Sequence, residues 1–189
     1  MLRRILFCLS LSALTACTTV VSTTTGGEGV QENLGRRSLG AVVDDSSIET
    51  QVEVNLKAAD EGLKNAHISV VSFNGVVLLV GQVPNQDLKN LATRVATTPS
   101  RVKIVHNELE IGPPTSIVTR SADALLTTKI KALMLADPTV SGLRTKVVTE
   151  NSVVYLMGLV TQREADLIAD LVSNASGVAK VVRAFEYID

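Results

Sequence analysis

The run Asn74-Gly75-Val76-Val77-Leu78-Leu79-Val80-Gly81-Gln82-Val83 returns later as Asn151-Ser152-Val153-Val154-Tyr155-Leu156-Met157-Gly158-Leu159-Val160. The flanks repeat with it. Ile48 and Val52 match Leu126 and Ile130, while Val102, Val105, Leu109 and Ile111 match Val178, Val181, Phe185 and Tyr187. Two copies of one small module explain this most simply, so the 189 residues must build twin domains rather than one large core.

Each copy has the same local grammar. In the first, Ser46 followed by Glu49 predicts a capped helix start, with Ile48, Val52, Leu56 and Ala59 on one face. Residues 67–73 and 76–83 are β-branched runs joined by Asn74-Gly75, a strong hairpin signal. Pro84-Asn85 stops the second strand and opens a helix over 86–97, with Leu88, Leu91, Ala92 and Val95 inward, and residues 102–111 form a last strand. The second copy repeats this order, with Thr161 and Glu164 as a further capping box. The expected fold is α+β, each module α-β-β-α-β with two helices packed on a three-stranded mixed sheet.

The N-terminus carries a different signal. Arg3-Arg4, an apolar run over 5–13 and Leu14-Thr15-Ala16-Cys17 are the parts of a secretory leader, whose run is too short to span a bilayer. The ending is similar to the bacterial lipobox, which implies that Cys17 is lipidated and becomes the first mature residue. Thr18 stands where an aspartate would favour inner-membrane retention, so the outer membrane is expected. The expected organisation is a leader (1–16), a lipidated Thr/Ser/Gly-rich tether (17–43), a first domain (44–112), a proline-bearing linker (113–120) and a second domain (121–189).

Composition narrows the function. The formal charge is −1, and losing Arg3 and Arg4 with the leader makes the mature chain more acidic, so no basic field holds nucleic acid. Aromatics make up 3% and Trp is absent, which leaves no stacking platform for bases or sugars. With Cys8 in the leader and Cys17 lipidated, no thiol pair remains for a disulfide. Of the two histidines, His67 and His106 fall in strands of the first copy without counterparts in the second, and neither has zinc-ligand spacing. No catalytic residue, cofactor or metal site is expected.

The α-β-β-α-β order with Val77, Leu79, Gly81 and Val83, and again Val154, Leu156, Gly158 and Val160, resembles the BON domain. With the lipobox and tether, the chain resembles the dual-BON outer-membrane lipoproteins over nearly its whole length. Thr127-Thr128-Lys129 and residues 155–165 are especially close. The resemblance implies a periplasm-facing lipoprotein that binds anionic phospholipid (phosphatidylglycerol or cardiolipin) and supports envelope integrity without catalysis.

The repeat supplies an internal control for the site. Ser47, Gln51, Glu53 and Gln82 of the first copy correspond to Leu125, Lys129, Lys131 and Leu159 of the second, each time more apolar or more cationic. If the helix start lies beside the loop after the second strand, these residues gather with Gly158, Val160 and Thr161 into one phospholipid-binding patch suited to shallow insertion among headgroups. A second reading is a protein adaptor, through an open sheet edge or the acidic first copy, with the machinery that inserts outer-membrane β-barrels as client.

Overall fold

The computed structural model describes residues 37–140 and 142–188; the expected leader, Cys17 and most of the tether lie outside the described residues. The elements are α1 (Leu39–Ala59), α2 (Glu61–Asn65), β1 (His67–Phe73), β2 (Val76–Val83), α3 (Gln86–Ala96), β3 (Ile104–Asn107) and β4 (Glu110–Ile111) in the first domain. The second has α4 (Ile117–Ala136), a 3-10 turn (Gly142–Arg144), β5 (Thr145–Glu150), β6 (Val153–Val160), α5 (Gln162–Ser173), β7 (Lys180–Arg183) and β8 (Glu186–Tyr187).

Helix α1 starts earlier than Ser46-Glu49 suggests. Ser38 is its N-cap, accepting from the Ala41 amide at 3.1 Å. Ser46 lies inside the helix and returns its hydroxyl to the Val42 carbonyl at 3.2 Å, so its polarity is satisfied without ending the helix. Residues 39–43, assigned to the tether from sequence, are therefore helical. The linker is shorter than expected for a similar reason: Ser116 caps α4, accepting from the Thr119 amide at 3.1 Å, and residues 117–120 are its first turn. Thr161 and Glu164 do form the expected capping box ahead of α5.

In each domain the second strand is central. β1 pairs antiparallel with β2, and β3 and β4 pair parallel on its other side; β5, β6, β7 and β8 repeat this arrangement. The predicted last strand is thus two short ones. Leu109 turns inward between β3 and β4, and Ala184 and Phe185 are buried between β7 and β8.

An aspartate on the first helix latches each hairpin turn. Asn74 and Gly75 have φ of 53° and 80°, the left-handed pair that a tight two-residue turn requires. Asp45 accepts from both their amides, at 2.8 and 2.9 Å, and from the Ser72 hydroxyl at 2.8 Å. The Arg37 guanidinium bonds the same carboxylate at 2.6 Å and stacks 4.0 Å from the Phe73 ring centre. Asp123 repeats the latch, accepting from Asn151 and Ser152 amides at 2.8 and 2.9 Å.

Burial alone would raise the Asp45 pKa, but the bonds from Gly75, Ser72, Asn74 and Arg37 together outweigh it and hold the carboxyl below its ordinary 3.8. A depressed folded pKa stabilises the fold above the unfolded value, and that stabilisation disappears as pH falls through the folded one. Asp45→Asn is expected to cost about 1–3 kcal/mol at neutral pH. Urea titrations from pH 7 to 2 should also show a shallower acid loss in the variant than in the parent.

Both faces of each sheet are covered. Val77, Leu79 and Val83 of β2 pack with Ile48, Val52, Leu56, Ala92 and Ala96 from α1 and α3. The alternate residues Val76, Leu78 and Val80 join Val71, Phe73, Tyr155, Met157, Leu159 and Ala184 in a core shared by the two sheets. The second domain's own core packs Val154, Leu156 and Val160 against Ile130, Met134, Ile168 and Val172. The layers therefore run helices, sheet, sheet, helices, with the two helix layers facing outward in opposite directions.

Polar bonds fix how the sheets meet. The hairpin end of the first domain lies beside the strand end of the second, where Asn74 donates to Glu186 at 2.7 Å and Lys146 reaches Glu49 at 2.8 Å. At the opposite end, buried Gln82 donates to Glu150 at 2.8 Å and accepts from the Thr115 amide at 3.0 Å, tying the linker into the joint. His67 sits here too, its Nε2 3.7 Å from Glu150.

Candidate functional site: the outer face of helix α4

Helix α4 buries Asp123, Ile130 and Met134 against the sheet. At 100° per residue, the opposite side presents Ile117, Ser121, Ala124, Leu125, Thr128, Ala132 and Leu135, all exposed and none charged. Leu125 is 73% exposed and Leu135 61%. Lys129 and Lys131, both exposed, lie on opposite flanks of this strip. Lys129 also donates to the Ser176 carbonyl at 2.9 Å and to the Ser176 hydroxyl, so its ammonium is held beside the loop after α5.

The expected patch does not assemble as one surface. The Asp123 latch seats the Leu125 turn of α4 over the β5–β6 hairpin turn, where Thr127 also bonds Thr149 at 2.7 Å. Gly158, Leu159 and Val160 lie at the far end of β6, where they pair with Thr145, Glu186 and Tyr187. Seven strand steps, about 23 Å, separate the two ends. All three are buried, Leu159 within the core between the sheets. Thr161 is exposed, but its backbone and hydroxyl are spent capping α5.

The premise that α4 begins beside the loop after β6 is what fails, because the latch places that part of the helix at the hairpin end. Leu125, Lys129 and Lys131 remain together; Gly158, Leu159, Val160 and Thr161 belong to a structural region. Gln82, the first-copy partner of Leu159 in the sequence comparison, likewise serves the domain joint. What sequence reasoning missed is the rest of the strip. The matched positions on α1 are Leu39, Val43, Ser46, Ser47, Thr50, Val54 and Lys57, with Gln51 and Glu53 on its flanks, and a helical projection of both copies would have shown the contrast.

Among the described residues no group of His, Cys, Asp or Glu is arranged to hold a metal ion, and no helix is long and apolar enough to cross a membrane. The structure thus offers an apolar, base-flanked helix face on an α+β module duplicated back to back.

The BON domain family model matches residues 44–113 and 122–189, and the chain belongs to that family. It is 42% identical over 154 residues to the outer membrane lipoprotein DolP of Haemophilus influenzae, covering 81% of this chain and 79% of that one. This similarity and the paired BON domains make it an outer-membrane lipoprotein. It is also 36% identical to a 21 kDa hemolysin of Actinobacillus pleuropneumoniae, over 80% of this chain and 78% of that one. To the osmotically-inducible protein Y of Escherichia coli K12 it is 31% identical, over 84% and 80% of the two chains.

Proposed function

We propose that this lipoprotein is anchored by acyl chains on Cys17 at the periplasmic side of the outer membrane. Its second domain lays the outer face of α4 on anionic phospholipid, phosphatidylglycerol or cardiolipin, and so supports envelope integrity as a binding protein without catalysis. The observation that carries the reading is the α4 strip: exposed Ile117, Leu125 and Leu135 on an uncharged helix side with Lys129 and Lys131 at its flanks. An interfacial helix needs this combination of apolar face and cationic borders.

The magnitudes suit a weak contact helped by the anchor. Each lysine near an anionic surface contributes roughly 1 kcal/mol. A fully buried leucine side chain contributes about 1.5–3 kcal/mol, and shallow insertion realises only part of that. The acyl anchor raises the effective concentration of the strip at the bilayer, so modest affinity is enough.

Vesicles of phosphatidylglycerol mixed with the chain from Leu34 onward, which forms a single compact unit, test this directly. Co-sedimentation at low salt is expected. Lys129→Glu exchanges attraction for repulsion, about 2 kcal/mol, and should weaken binding roughly 30-fold; Leu125→Glu should weaken it further. Equal binding by parent and double variant would defeat the reading.

A protein client, such as the β-barrel assembly machinery, is the second partner we propose. The observation favouring it is that the first domain's helix layer faces away from α4 and stays accessible while α4 is occupied. Strand addition at β1 is the less favoured route, because Glu49 accepts from the Ser72 amide at 2.8 Å and Lys146 donates to the Ser72 carbonyl at 3.3 Å on that edge.

A further inference from the structure

The first turns of α1 bury no residue fully in their own domain. Buried residues on this helix begin at Asp45; before it, Leu39 is 87% exposed, Val43 68% and Val42 41%. Leu39, Gly40, Val42 and Val43 are exposed around a half-buried Ala41, so these five residues form an uncharged apolar helix tip open to solvent on one side.

Two features of its surroundings say what covers it. The tip is the part of the described protein nearest the anchor along the chain. Residues 18–37 separate Cys17 from the Ser38 cap, a span of at most about 70 Å. The surrounding charges also present no net obstacle to an anionic surface. Among the described acids near the tip, Asp44 is paired with Arg101, Asp45 with Arg37 and Glu186 with Lys103, and in the sequence before the cap Arg36 and Arg37 balance Glu28 and Glu32.

We propose that Leu39, Val42 and Val43 are a second membrane-contact surface, one that dips into the same bilayer that holds the Cys17 acyl chains. It is distinct from the α4 strip. The Asp45 latch puts the tip at the hairpin end of the first domain, on the helix layer facing away from α4, so one bilayer engages the tip or the α4 strip but not both at once. The inference rests on the acyl anchor at Cys17, and it stands or falls independently of lipid binding by α4.

The test uses the full acylated chain in phosphatidylethanolamine–phosphatidylglycerol vesicles, with acylation read separately by mass. Cys8 leaves with the leader and Cys17 is blocked, so a Val43→Cys substitution introduces the single free thiol for an environment-sensitive fluorophore. The expected result is a blue-shifted emission, quenched several-fold more by spin-labelled lipid than the same probe at Val54→Cys, an exposed site about three turns further along α1. The shift should persist in a Leu125→Glu background. Water-like emission from Val43→Cys in a chain confirmed as acylated would overturn the proposal. So would a shift that vanishes with Leu125→Glu, or one that grows with protein density without lipid quenching, which would mark contact with a second copy.

Discussion

Leu78→Asp is expected to destroy the back-to-back arrangement, at a cost of roughly 5 kcal/mol or more, comparable with the whole stability of many domains. Leu78 is fully buried, and its side chain faces away from its own helices into the core between the sheets. A carboxylate there would lose the leucine's burial and find no cationic partner: among the described residues, that core is built from Val71, Phe73, Val76, Val80, Tyr155, Met157, Leu159 and Ala184. Tyr155 brings the only hydroxyl, its pKa pushed to about 12 by burial and then by Glu108, Glu110 and Glu150, an environment that already repels negative charge. Denaturant melts should show loss of the cooperative transition or a collapse of its midpoint, with proteolysis opening between the domains. Val54→Asp, on the exposed side of α1, should remain within about 0.5 kcal/mol of the parent.

Gly81→Ala is expected to cost about 3 kcal/mol or more, well above the matched change Gly158→Ala. Gly81 holds φ of +125°, a conformation side chains rarely adopt, and a Cβ there would lie 2.0 Å from the His67 carbonyl oxygen on the neighbouring strand. Backbone strain alone accounts for about 1–3 kcal/mol. The clash then forces β1 away from β2, because the obstructing atom is main chain and cannot rotate aside. Gly158 has no such dihedral, and its Cβ would approach the Arg144 carbonyl oxygen only to 3.0 Å. Thermal melts of the two variants side by side should separate them clearly.

These glycines also show how far the sequence carries. Pattern alignment pairs them, and both lie close to a neighbouring backbone, but no pattern distinguishes the strained one. The hairpins were legible because Asn74-Gly75 has few conformations open to it between two β-branched runs. The Thr161–Glu164 cap was legible because its chemistry is local. The start of α1 was not, since Ser46 has the right residue types for a cap and only the carbonyl four residues back shows it to be interior. The candidate patch failed for a non-local reason. Leu125 and Leu159 are adjacent only if helix and strand meet end to end, and the Asp123 latch sets that register the other way. The two-sided cover of β2 is legible too: the strand is apolar without alternation, as one buried on both faces must be.

The sheet-on-sheet joint resembles a two-fold dimer written into one chain, the hairpin end of each half beside the strand end of the other. A true homodimer must show identical outer sides, since any substitution appears twice. Fusion removes that constraint. Here one outer helix carries Lys129 and Lys131 while its twin carries Gln51 and Glu53 at the same positions. The particle therefore has two chemically unlike poles on a shared interior, each free to meet a surface or a partner on its own terms.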